Sequence, residues 1–172
     1  GANTDTITVT VNVQDVNEAA PVFTAGETGT STPNEGTTAA GTFAATDTDG
    51  TATQTYSILT AEQNAASVDH DLFSVGAGGV LAFSSAPDFE TPGCGAGDNS
   101  NTCVVVIQVT DGANTDTITV TVNVQDVNEF SPEFGDGSTA TANVDENQQA
   151  VGTYAASCLL YTSDAADDVR SV

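Results

Sequence analysis

Oxygen-bearing side chains fall in short runs along this chain. Glu35 stands in Pro33-Asn34-Glu35-Gly36, Asp47 and Asp49 flank Thr48, Asp88 and Glu90 flank Phe89, and Asp111 precedes Gly112. Asp15, Asn17 and Glu18 lie within four residues, as do Asp126, Asn128 and Glu129. In extended backbone, residues i and i+2 point the same way, so Asp47/Asp49 and Asp88/Glu90 can each aim two carboxylates at one place. Left alone, such groups repel. A hard divalent cation turns the repulsion into coordination, and Ca²⁺ accepts about six to eight oxygen ligands in flexible geometry, whereas Mg²⁺ demands a stricter octahedron and holds its water. The chemistry these residues suit is Ca²⁺ binding.

Charge supports that reading and excludes others. The chain has 24 acidic residues and one Lys or Arg, which is Arg170. Residues 1–157 hold 21 acidic side chains and no Lys or Arg, so their balancing charge must come from ions in solution. Nucleic acid and anionic lipid need Lys and Arg, so neither is an expected partner and no direct membrane contact is expected of this chain. Surface carboxylates can also serve solubility alone, which is the competing account of the charge. His70, between Asp69 and Asp71, is the only histidine, and no nucleophile signature accompanies it, so it reads as a surface-loop residue. Paired acids could in principle hydrolyse a glycoside, but there is no Trp, and Tyr56 and Phe83 read as core residues rather than a sugar platform. No enzymatic activity is expected.

The elements that position these groups are legible in a duplication. Gly112–Glu129 repeats Gly1–Glu18 without one change, at a spacing of 111 residues. That period suits a whole small domain rather than a solenoid turn. In each copy Ile and Val alternate with Thr and Asn, as in Ile7, Val9, Val11 and Val13, which is a strand with one buried face running into an acidic cluster. Other strands are expected at Phe23, over Gly41–Thr46, over Tyr56–Ile58, as a hairpin of Leu72–Val75 and Val80–Phe83, and over Val104–Val109 with Val105, Ile107 and Val109 on one face. Ala61–Ser67 is the one stretch that could make a helical turn. About seven short strands per repeat argue for an all-β Greek-key sandwich.

The set taken together resembles a cadherin repeat of the kind found in large bacterial surface proteins. Glu35 matches the early-strand glutamate, Asp47-Thr48-Asp49-Gly50 the DxD motif, Asp88-Phe89-Glu90 the DRE-type motif and Asp111-Gly112 the late aspartate. DVNEAAPVF and DVNEFSPEF match the DxNDNxPxF linker, with Glu18 and Glu129 where that linker usually carries Asp. The resemblance implies tandem seven-stranded sandwiches, immunoglobulin-like and of cadherin type. Residues 1–18 are then the last strand and linker of a preceding repeat, 19–129 a complete repeat, and 130–157 the start of a following one.

The resemblance also implies Ca²⁺ at the joints between repeats. Glu35, Asp88, Glu90, Asp126, Asn128 and Glu129 would serve the joint after residue 125. Asp15, Asn17, Glu18, Asp47, Asp49 and Asp111 would serve the joint before residue 23. Bound cations would make a rigid rod from a flexible string, serving cell adhesion or a stalk. The implied setting is extracellular, within a larger membrane-anchored or secreted protein. Its partners would be neighbouring repeats, with other surface proteins or glycans beyond them. Strand-swapped cadherins anchor through an N-terminal Trp, which this chain lacks, so that homophilic route is unsupported. A calcium-independent immunoglobulin-like spacer and a polysaccharide-binding module are the rival functions.

Cys94 and Cys103 bound a polar, Gly-rich loop. In an extracellular repeat a disulfide is expected to close it, against the alternative of two free thiols in a cytosolic chain. Beyond Ser157 the correspondence with the first repeat ends at Cys158, where Asp47 has its counterpart. Cys158-Leu-Leu-Tyr-Thr-Ser163 is what TGT CTC TTA TAC ACA TCT encodes, so residues 158–172 read as a translated sequencing-library adapter rather than native chain.

Overall fold

The computed structural model describes residues 1–49, 53–95, 97, 99–135 and 137–157. Gly50 and the adapter reading of 158–172, with Cys158 and Arg170, lie outside the described residues.

The two longest strands form the spine. Strand β8 (Thr102–Thr110) pairs antiparallel with β9 (Thr115–Asn123) over their whole length, Thr102 opposite Asn123 and Thr110 opposite Thr115. Alternation decides which face is buried: Cys103, Val105, Ile107 and Val109 of β8 meet Ile118, Val120 and Val122 of β9 in the core. Val106 points the other way and is also buried. The segment after β5 (Thr55–Ile58) continues along the free edge of β8, with Leu59 N–H donating to Val106 O and Val106 N–H donating to Ser67 Oγ.

On the outer side of β9, strand β2 (Thr28–Ser31) runs parallel to it, and β5 closes the other edge against β8. The facing sheet has β7 (Val80–Phe83) between β3 (Ala39–Thr42) and β6 (Phe73–Gly76). Four strands packed on three make the seven-stranded sandwich. A small antiparallel ladder of β1 (Val22–Phe23) and β4 (Ala45–Thr46) sits beside them. Phe23, Phe43, Phe73, Leu81 and Phe83 fill the space between the sheets. The Tyr56 ring meets Phe23 edge-on at 6.2 Å, and its hydroxyl accepts from Ala45 N–H.

Strand β2 is absent from the sequence expectations because Thr28-Gly29-Thr30-Ser31 carries no apolar residue. Its place is fixed by close packing: a Cβ on Gly29 would lie 2.6 Å from the Phe43 ring. The possible helical turn at Ala61–Ser67 forms only isolated turns, with Gln63 and Asn64 N–H donating to Thr60 O. A short 3₁₀ turn follows at His70–Leu72.

The two flanking pieces differ instructively. Residues 1–18 contain no strand, contrary to expectation, and Ile7 and Val13 are 86% and 92% exposed. The identical sequence is buried as β9 because β8 and β2 supply its hydrogen bonds and cover; the first copy has no such neighbours among the described residues. At the other end, β10 (Glu133–Phe134) pairs with β11 (Ala156–Ser157), Glu133 opposite Ser157 and Phe134 opposite Ala156. Shifted by 111, these are the pairs Val22–Thr46 and Phe23–Ala45 of the β1–β4 ladder. Phe134 is 58% exposed where Phe23 is 2%, since no second sheet among the described residues covers it.

Candidate metal centres

The expected ligands divide between the two ends of the sandwich. At the end where the chain leaves, the parallel pairing of β2 and β9 continues through an Asn34–Gln125 bridge, with Glu35 N–H donating to Gln125 O. This places Glu35 beneath the start of the outgoing linker. Its carboxylate is 5% exposed and uses both oxygens: Oε2 accepts from Phe89 N–H at 2.6 Å and Oε1 from Val127 N–H at 2.7 Å.

Asp88 Oδ1 accepts from the N–H groups of Glu90 and Thr91, which curls the chain so that Asp88 and Glu90 return toward Glu35. One carboxylate oxygen from each of Glu35, Asp88 and Glu90 lies within 4.8 Å of the others. Desolvation, with the negative charge of Glu35, Asp126 and Asp88, holds the Glu90 carboxyl above its ordinary pKa. Asp126 therefore joins the field of this cluster. Glu129 stays on the exposed linker outside it, and Asn128 Oδ1 accepts from Phe130 N–H.

The raised Glu90 pKa makes a prediction for the metal-free chain. A carboxyl whose folded pKa exceeds its unfolded one favours folding while protonated, and that contribution is lost as pH rises through the folded pKa. At neutral pH the Glu90 charge therefore works against folding. Glu90→Gln should raise the melting temperature in chelator at pH 7, and the gain should shrink on acidification. A lowered melting temperature at pH 7 would contradict this.

At the entry end, Asp49 Oδ2 accepts from Ala19 N–H at 2.8 Å, and Asp47 Oδ1 accepts from Asp49 N–H. Asp111 is 7% exposed, and its Oδ1 accepts from Asn114 and Ala113 N–H at 2.6 and 2.7 Å. Those bonds, the Asn114 N–H foremost, hold its carboxyl below the ordinary range, with the side chains of Asn114 and Asn17 adding to the effect. Asn17 thus meets Asp111 across the incoming linker. Two acceptors here are buried and have no hydrogen-bond partner, Asn17 Oδ1 and Asp47 Oδ2. Burying such oxygens costs free energy unless something electropositive satisfies them. Asp15 and Glu18 are exposed on the linker.

Two further residues belong to this end and escaped the sequence reading. Asn114 Nδ2 donates to Ala19 O, holding the incoming linker to the β8–β9 turn, and Asp116 Oδ2 accepts from Phe23 N–H, holding β1 to the start of β9. Their signal is weak: they sit in the duplicated Gly-Ala-Asn-Thr-Asp stretch, where strand alternation hides a turn.

Solved structures share this architecture. Human CDH23 EC21–23 superposes with a TM-score of 0.52 at 21% identity, over 86% of this chain and 46% of that one. The protocadherin GammaB4 extracellular domain gives 0.52 at 22%, over 71% and 18%. Human protocadherin-24 EC1–2 gives 0.50 at 21%, over 81% and 60%. The fold is that of a cadherin extracellular repeat. This chain spans less than two thirds of each of those cadherin structures. No protein-family model and no curated protein matches it. The two clusters stand at the ends of the sandwich where the chain enters and leaves it.

Proposed function

We propose that this chain is a Ca²⁺-binding extracellular segment of a larger surface or secreted protein, serving cell adhesion or forming part of an adhesive stalk. Residues 19–129 are one complete repeat, 1–18 end a preceding repeat and 130–157 begin a following one. The register of β10 with β11, repeating that of β1 with β4, supports this division. The extracellular placement is supported by the Cys94–Cys103 disulfide. Among the described residues no helix is long and apolar enough to cross a membrane.

The observation that carries the calcium reading is the convergence of Glu35, Asp88 and Glu90 under the outgoing linker, with no Lys or Arg among the described residues. All the donors are hard oxygens, and the unsatisfied Asn17 Oδ1 and Asp47 Oδ2 at the other end point the same way. Glu35, Asp88, Glu90, Asp126, Asn128 and Glu129 would hold cations at the outgoing joint. Asp15, Asn17, Glu18, Asp47, Asp49 and Asp111 would hold them at the incoming one. A bound cation supplies positive charge that offsets the mutual repulsion of these groups. The chain's own part is to fix the linkers against the sandwich, through Glu35 to Val127 N–H on one side and Asp49 to Ala19 N–H on the other. The partners are the adjacent repeats.

Thermal melts in Ca²⁺, Mg²⁺ and chelator test this. Ca²⁺ should raise the melting temperature where Mg²⁺ at the same concentration does not. Identical melts in all three would leave a calcium-independent spacer.

A further inference from the structure

Among the described residues, Asn101 joins the disulfide loop to the outgoing site by hydrogen bonds. Cys94 and Cys103 are both buried and bonded, and Cys94 exchanges backbone hydrogen bonds with Ser100 inside the loop they close. This leaves Asn101 held between the Ser100 pairing and Cys103. Its side chain donates from Nδ2 to Phe89 O at 2.9 Å, and its carbonyl accepts from Val124 N–H at 2.8 Å. Phe89 lies between Asp88 and Glu90, and Val124 is two residues before Asp126. Phe89 is thereby clamped twice, its N–H by Glu35 and its C=O by Asn101.

We propose that Asn101 is a positioning residue that fastens the Asp88–Glu90 segment to the root of the outgoing linker, and that the Cys94–Cys103 bond sets cation affinity through it. The affinity half of this statement rests on the calcium reading above. With the bond intact, Asn101 has one place to stand and both carboxylates keep their directions. A dithiol reductant passes two electrons to the bond, which with two protons yields two thiols while the reductant becomes a disulfide. The loop then keeps its hydrogen bonds but loses its covalent closure, so Asn101 holds Phe89 less firmly and part of the ordering of Phe89 must be supplied when the cation binds. Linkage makes the effect reciprocal: whatever factor oxidation adds to Ca²⁺ affinity, Ca²⁺ adds to the disulfide–dithiol equilibrium.

The test uses the full chain. Ca²⁺ affinity is measured oxidised and after dithiothreitol, and the dithiothreitol equilibrium is measured with and without CaCl₂. Amide exchange of Phe89 and Glu90 is followed in chelator. Reduction should weaken Ca²⁺ binding about tenfold, and Ca²⁺ should shift the redox equilibrium by the same factor. Asn101→Ala, which leaves the disulfide in place, should weaken binding, speed exchange at Phe89 and Glu90, and abolish the Ca²⁺ effect on the redox equilibrium. A purely structural role would lower the melting temperature of that variant without removing the coupling. Equal affinity in the oxidised and reduced chains would overturn the proposal, as would full coupling in Asn101→Ala. If the oxidised chain binds no Ca²⁺, the calcium reading fails by itself. Faster exchange in Asn101→Ala would then still uphold the positioning role, and unchanged exchange would end it.

Discussion

Glu35→Ala should destabilise the chain in chelator by about 3–5 kcal/mol, since it removes two charge-assisted hydrogen bonds to a buried carboxylate. The groups left behind are Phe89 N–H and Val127 N–H. Glu35→Gln keeps the shape and one acceptor oxygen, so its cost should be about 1–2 kcal/mol. Urea denaturation in chelator measures both. The same substitution to Ala should also remove the Ca²⁺-dependent rise in melting temperature, because Glu35 then orders neither Phe89 nor the linker. A cost below about 1 kcal/mol would mean that the linker is not fastened through this carboxylate.

The second large effect falls on a carboxylate outside both cation clusters. Asp69 is 5% exposed, and it accepts from Gly95 N–H through Oδ1 and Val104 N–H through Oδ2 at 2.6 and 2.7 Å. It supplies acceptors where β5 no longer pairs with β8, and it ties the disulfide loop to that strand. Asp69→Ala should cost about 3–4 kcal/mol by the same reasoning. The loss should be equal in Ca²⁺ and in chelator, which distinguishes it from Glu35→Ala. A loss confined to Ca²⁺ solutions would place Asp69 in the cation machinery instead.

Asp69 also marks the limit of what the sequence reveals. Its neighbours Asp71 and His70 made the stretch read as a solvated loop, yet the His70 side chain is only 20% exposed and its Nδ1 lies 2.9 Å from Ser67 O. Nothing local distinguishes a carboxylate that satisfies two strand amides from one that faces water, because the amides lie 26 and 35 residues away. Strands β8 and β9 were legible because alternation of Val and Ile with Thr is a local property. The short parallel strand β2 was not, because its residues are small and polar and its position is set by Phe43. The duplicated arm is the reverse case: residues 1–18 carry a strong strand pattern but no strand, since pairing partners rather than pattern make a strand.

The candidate sites were partly legible for the same reason. The nearness of Asp88 and Glu90 was legible, but a turn at Asp88 rather than the expected extended backbone brings them together, and Glu35 joins them through the bridge at Asn34 and Gln125. The linker residues Asp15, Glu18, Asn128 and Glu129 stay exposed, because a linker's own sequence does not fix its position. Asn101 could not have been found, because its role depends on meeting Phe89 across the sandwich end.

Calorimetric titration of Ca²⁺ into a chain carrying two complete repeats tests the central claim most directly. Saturable binding of more than one Ca²⁺ at the joint, lost in Glu35→Ala and not reproduced by Mg²⁺, is the predicted result. The absence of binding heat, with the same hydrodynamic size in Ca²⁺ and chelator, would contradict it and leave an acidic β-sandwich spacer.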